Sequence, residues 1–273
     1  MRKLVAMLML ASAVSVTGGC AQLVRGGAVA AQAAAPVTTD EEIALGRAGV
    51  QELLKQPGTK LYDDPKVNAY VTQIGREMAA RANRPELPWT FYVVDAPEQN
   101  ALSLPGGFIF VTTGALRAMQ NEAQLAGVLG HEVGHVAARH GVDQLKRALV
   151  AQGILISALG TSPQAAQIAG QIAAELVLRG YGREAELEAD RLGARYMASD
   201  NYDPRQLAAF LETLAKSGQA PAWLAPLETH PPIEQRLAQL NQVIASQHLK
   251  GDKLDAQQFL TATAPLQGGG AGH

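Results

Sequence analysis

The chain has 273 residues and a net charge of −2, with 47 % hydrophobic and 18 % charged residues. That length and balance fit one globular domain with additions and exclude a disordered chain. No basic stripe runs along it, so no nucleic-acid partner is expected.

Residues 1–19 read as a secretory signal peptide. Arg2 and Lys3 give it a positive start, and Leu4 to Val16 form an apolar stretch too short to span a bilayer. The single cysteine, Cys20, follows Thr17-Gly18-Gly19 in an arrangement similar to a lipoprotein box, although Thr17 replaces the usual branched aliphatic residue. Lipidation of Cys20 is the expectation. Ordinary cleavage near Ala28 to Ala35, leaving a soluble periplasmic protein, is the alternative. A lone cysteine allows no intramolecular disulfide. Ala21 rather than Asp after the cysteine resembles enterobacterial sorting to the outer membrane. Residues 20–39 are expected to be an Ala/Gly-rich tether, 40–250 the folded domain, and 251–273 a tail with a disordered end.

Within the domain the pattern is mostly helical. Glu41 to Leu54 is amphipathic and stops at Pro57-Gly58. Asp64 caps a second helix with Pro65 at its first position. Trp89 to Val94 and Phe108 to Thr112 read as strands, the latter after a turn at Pro105-Gly106-Gly107. Asn121 caps a helix, with Gln124 as its box partner, running from Glu122 to His140 and stopping at Gly141. Further helices are expected at Gln144–Leu159, Pro163–Leu178, Arg183–Ser199, Pro204–Ser217 and Ile233–Ser246.

His131-Glu132-Val133-Gly134-His135 is an H-E-x-x-H motif inside the helix that starts at Glu122. Residues four apart share a helix face, so both imidazoles can reach one metal ion. Glu132 lies one position on and points at a metal-bound water, from which a carboxylate can take a proton. The alternative is a decorated solvated face. The many apolar neighbours (Leu125, Val128, Leu129, Val133, Val136) argue for a buried helix, where such polar groups need partners.

A third ligand is required. The metzincin spacing would need a histidine at 141, which is Gly141. His140 is rotated off the metal face and reads as a helix-end histidine facing the macrodipole. Downstream, Glu186 and Asp190 share a helix face within an acidic run. Glu186 can complete a His/His/Glu set and Asp190 can accept the free N–H of a ligating histidine. A solvated charged face is an equal reading of the spacing, and is the better one for Glu184 and Glu188.

Several motifs occur together in order. They are Asn100-Ala101 with Leu104-Pro105-Gly106-Gly107, the H-E-x-x-H, Arg183-x-x-Glu186-x-Glu188-Ala189-Asp190-x-x-Gly193, and His230-Pro231-Pro232 with Arg236. This combination resembles the HtpX and CAAX-prenyl-protease family of zinc metallopeptidases, and is most similar to its exported BepA-like and Oma-like branch. The resemblance spans about residues 40–245, with Gly182 where serine is common and without the helical repeats of BepA-like members. It implies an α+β, mostly helical zincin domain whose small sheet borders the cleft with an edge strand. It also implies one zinc ion held by His131, His135 and Glu186, with Asp190 supporting them and Glu132 as general base. His230 is implied to approach the metal, either supporting the oxyanion or plugging the open position. Arg236 either supports the same charge or pairs with a surface carboxylate. The strand Phe108, Ile109, Phe110 and Val111 is expected to pair with an extended substrate.

These readings lead to a zinc endopeptidase of the bacterial envelope. It would act on unfolded or misassembled outer-membrane proteins, anchored to the outer membrane by its N-terminal lipid. The rivals are a non-catalytic chaperone or scaffold lipoprotein and a zinc hydrolase acting on peptidoglycan. The intact Glu132 counts against the first, and the strand with the Glu186 helix against the second.

Overall fold

A computed structural model describes residues 36–151, 162–217 and 233–267. The signal peptide, Cys20, most of the tether and His230 lie outside them. The helices among the described residues are α1 (Thr39–Lys55), α2 (Pro65–Ala80), α3 (Thr113–Ala118), α4 (Glu122–Ala137), α5 (His140–Ala151), α6 (Pro163–Arg179), α7 (Arg183–Ser199), α8 (Arg205–Ser217), α9 (Ile233–Ser246) and α10 (Ala256–Gln267). The strands are β1 (Thr90–Val94), β2 (Ala101–Leu104) and β3 (Phe108–Thr112).

Local chemistry sets the helix starts. Thr38 and Glu41 form a reciprocal capping box at α1. Asp64 accepts the amides of Lys66 and Val67 at 2.9 and 3.0 Å, with Pro65 in the first turn of α2. At α4, Asn121 accepts the Gln124 amide at 2.9 Å, but the Gln124 side chain reaches back to the Gln120 amide instead of closing the box on Asn121.

The sheet has the order β1-β3-β2, with β3 parallel to β1 and antiparallel to β2. Its two faces feed two cores. Ile109 and Val111 join Phe91, Val93 and residues of α2, α4, α7 and α8, whereas Phe108 and Phe110 join residues of α1, α5 and α6. Helices on both faces bury the first four of the five β3 residues. This corrects the expected substrate strand: Phe108, Ile109, Phe110 and Val111 belong to the central strand, whose main chain is paired on both sides. Among the described residues the edge strand on that side of the sheet is β2.

Two other expectations change. The helix from Glu122 ends at Ala137, not His140, because Arg139 adopts φ 62°. The Arg139 guanidinium donates to the Val37 carbonyl at 2.6 Å and pairs with buried Glu42 at 3.3 Å, which holds the break in place. The segment from residue 251 was expected to be a tail. Residues 256–267 instead form α10, which seats Phe259 and Leu266 in the first core at 1 % exposure each. No helix among the described residues is long and apolar enough to cross a membrane.

Candidate active site

Helix α4 packs chiefly against α7. Small residues at the crossing allow a close approach: a Cβ at Gly193 would stand 2.9 Å from the His131 amide nitrogen, and Gly134 faces Ala189. The crossing therefore sets Glu186 and Asp190, one turn apart on α7, against His131 and His135, one turn apart on α4. Donor atoms of His131, His135 and Glu186 all lie within 4.8 Å of one another, and all three residues are buried.

The two Nε2 atoms are 3.0 Å apart, and the Glu186 carboxylate is 3.6 Å from His131 Nε2 and 3.7 Å from His135 Nε2. These spacings are close to the roughly 3.3 Å ligand–ligand edge of a tetrahedral zinc site with about 2 Å bonds. The donor types suit such an ion as well: two imidazoles and a carboxylate, all buried, leave a fourth position for water. Glu186 Oε2 accepts no hydrogen bond, although Arg236 Nη1 lies 3.1 Å away.

A second layer orients these groups. His131 Nδ1 is 2.9 Å from Asp190, and Asp190 accepts two hydrogen bonds from Arg236, at 2.8 Å from Nε and 2.6 Å from Nη2. Burial works against the Asp190 charge, but Arg236 and His131 hold its pKa well below the usual carboxylate range. Burial would also lower His131, yet Asp190 and Glu186 raise it to about 9. Burial, reinforced by the neighbouring His131 and His140, depresses His135 well below its ordinary value.

Glu132 accepts a hydrogen bond from Ser103 Oγ on β2 at 2.8 Å. Burial pushes its carboxyl up to about 7, against the lowering influence of His131 and Ser103. A carboxylate poised there can gain and lose a proton near neutral pH. Tyr181, between α6 and α7, stacks on His135 with ring centroids 4.1 Å apart and donates to the Ser103 carbonyl at 3.1 Å. Ser103, Glu132, Tyr181 and the three donor residues help to enclose a cavity of about 10 Å³, about the space of one water. Larger open grooves lie elsewhere, such as one of about 550 Å³ past Asp203 and His248, but no comparable set of donors converges there among the described residues.

The fold thus brings together His131, Glu132, His135, Glu186, Asp190 and Arg236. Arg236 is 1 % exposed. Among the described residues its guanidinium meets the buried carboxylates Asp190 and Glu186, not a surface carboxylate. His140 is not the last residue of the helix from Glu122: it opens α5, and its Nδ1 lies 2.9 Å from His135 Nδ1. Burial lowers its pKa, against the raising influence of Glu188, whose carboxylate lies 3.5 Å from His140 Nε2. Sequence reasoning missed Ser103 and Tyr181. Ser103 lies inside the motif that runs from Asn100 to Gly107. Tyr181 has only its flanking glycines as a signal.

The profile of Peptidase family M48 matches residues 65–244. A "Beta-barrel assembly-enhancing protease" of Yersinia pestis is 32 % identical over 225 residues, covering 77 % of this chain and 45 % of that protein. Its Escherichia coli (strain K12) counterpart is 30 % identical over 220 residues, covering 76 % and 44 %. "Mitochondrial metalloendopeptidase OMA1" of Schizosaccharomyces pombe is 26 % identical over 221 residues, covering 80 % and 66 %. The chain spans less than half the length of the assembly-enhancing proteases that it matches.

Proposed function

Because the chain belongs to peptidase family M48, we propose that it is a zinc-dependent metalloendopeptidase in which His131, His135 and Glu186 hold the metal. The observation that carries this is the buried convergence of two imidazoles and a carboxylate, with Glu132 beside them and a sheet edge, β2, along the cavity. When bound, zinc polarises the scissile carbonyl and acidifies the attacking water. The protein's own groups do the rest. Glu132, oriented by Ser103, takes the water proton and delivers it to the leaving amine. Asp190, clamped by Arg236, fixes the ring of His131. The edge of β2, where Tyr181 now occupies the Ser103 carbonyl, is the place for main-chain pairing with an extended substrate, which favours broad side-chain tolerance.

The names of the relatives support unfolded or misassembled outer-membrane proteins as substrates, cleaved in the periplasm as part of envelope quality control. Attachment to the outer membrane through lipid on Cys20 rests on the N-terminal sequence. So does His230 as a group approaching the metal, as support or as plug. A non-catalytic chaperone is disfavoured, because a structural metal site has no use for a buried carboxylate at position 132.

The test compares purified wild type with Glu132→Gln on unfolded casein, measuring bound zinc in both. Zinc in both and cleavage by wild type alone is the expected result. Absence of stoichiometric metal from both would sink the site. Cleavage by Glu132→Gln at the wild-type rate would remove Glu132 as the base.

A further inference from the structure

The break at Arg139 has a chemical consequence. On a continuous helix a residue five positions after His135 points away from it. The left-handed turn instead folds the chain back, and His140 Nδ1 comes to rest 2.9 Å from His135 Nδ1. Two ring nitrogens at that distance share one proton, and the neighbours decide which ring holds it. His140 Nε2 is 3.5 Å from the Glu188 carboxylate, so the proton of a neutral His140 belongs on Nε2. Its Nδ1 is then a lone pair and can only accept. His135 must therefore carry its own proton on Nδ1, which frees the Nε2 lone pair. That Nε2 is the atom lying 3.0 Å from His131 Nε2 and 3.7 Å from Glu186.

We propose that His140 is a positioning residue for the metal centre: it accepts the Nδ1 proton of His135, with Glu188 fixing its own tautomer, and so presents His135 Nε2 to the ion. The proposal rests on the metal-site reading given above. It makes the two ligand histidines unequal. His131 is held by a buried, charged pair, Asp190 and Arg236. His135 is held by a neutral imidazole backed by a half-exposed glutamate, with Tyr181 stacked on its face. His140 is not itself a ligand, since the nitrogen it turns to the site meets the far side of the His135 ring from Nε2.

The test measures zinc affinity by competition with a chromophoric chelator at fixed pH, for wild type, His140→Phe and His140→Asn. Phenylalanine keeps the ring without an acceptor, whereas asparagine places an acceptor oxygen at the same distance from the backbone as Nδ1. His140→Phe is expected to weaken zinc binding by about 10- to 100-fold. His140→Asn is expected to recover most of that loss, with the thermal midpoints of the zinc-free proteins unchanged. Wild-type affinity in His140→Phe would overturn the proposal alone, as would equal weakness in both variants. No zinc bound by wild type would overturn the site reading and the proposal with it. Imidazole nitrogen NMR of the zinc-loaded wild type reads the tautomers without any mutation. His135 protonated on Nδ1 and His140 on Nε2 is the expected pattern, and a His140 protonated on Nδ1 would contradict it.

Discussion

Arg236 on α9 and Asp190 on α7 meet through two parallel hydrogen bonds, at 2.8 and 2.6 Å, both side chains being nearly inaccessible to solvent. The pair ties a helix that carries no metal donor to the one that carries Glu186. It also completes a line from Arg236 through Asp190 to His131. Removal of the arginine leaves a buried carboxylate without its main partner. Arg236→Ala is therefore expected to destabilise the protein by about 3–5 kcal/mol in urea unfolding. Arg236→Lys should recover little of this, since an ammonium cannot reproduce the planar fork. Full recovery by lysine would show that only the charge matters.

The α4–α7 crossing tolerates no side chain at Gly193, because a Cβ there would stand 2.9 Å from the backbone of His131. Gly193→Val should separate the helices at the point where the donors converge. The expectation is a stability loss of about 1–3 kcal/mol from overpacking, together with weaker zinc binding. Urea unfolding and chelator competition measure the two effects, and wild-type behaviour in both would refute the close-packing account.

If three buried donors hold a divalent ion, the ion stabilises only the folded state. At free zinc about 100 times its Kd the gain is about 2.7 kcal/mol. Scanning calorimetry with and without a strong chelator should show a lower midpoint in the chelated sample, restored by added zinc. Overlapping transitions would count against a metal bound at this site.

Glu122 at the start of α4 is buried, and accepts hydrogen bonds from Tyr70 and Tyr202 at 2.5 and 2.6 Å while lying 2.8 Å from Lys253. Burial alone would raise its pKa, but Lys253 and the two hydroxyls bring it below the ordinary 4.5. A depressed folded-state pKa contributes stability at pH values above the unfolded one and loses it as pH falls through the folded value. The stability gap between wild type and Glu122→Gln should accordingly narrow below about pH 4.5. Urea midpoints across that range check this, and a gap that widens on acidification would contradict it.

Much of the site was legible because it is written in local spacing. His131 and His135 are four apart on one helix, as are Glu186 and Asp190 on another; the start at Asp64-Pro65 follows from its cap, and the bounds Arg183–Ser199 and Ile233–Ser246 agree with the sequence reading. Gly182 caps α7 without a side-chain bond.

What eluded the sequence was set by contacts distant along the chain. Phe108–Thr112 has the composition of any strand, and only its neighbours on both sides make it central and leave β2 at the edge. His140 looked misplaced on an ideal helix because the break at Arg139 depends on Val37 and Glu42, about a hundred residues earlier. Arg236 carried no sign of a buried partner, since a guanidinium is equally common on a surface.

The sequence by itself determined the spacing that puts His131 with His135, and Glu186 with Asp190, on common helix faces, while the choice of Glu186 as third donor rested on the family resemblance. Only the tertiary structure decided how those faces meet. The approach of α4 to α7, the pairing of Asp190 with Arg236 and the return of His140 onto His135 are long-range contacts, and no local propensity encodes them.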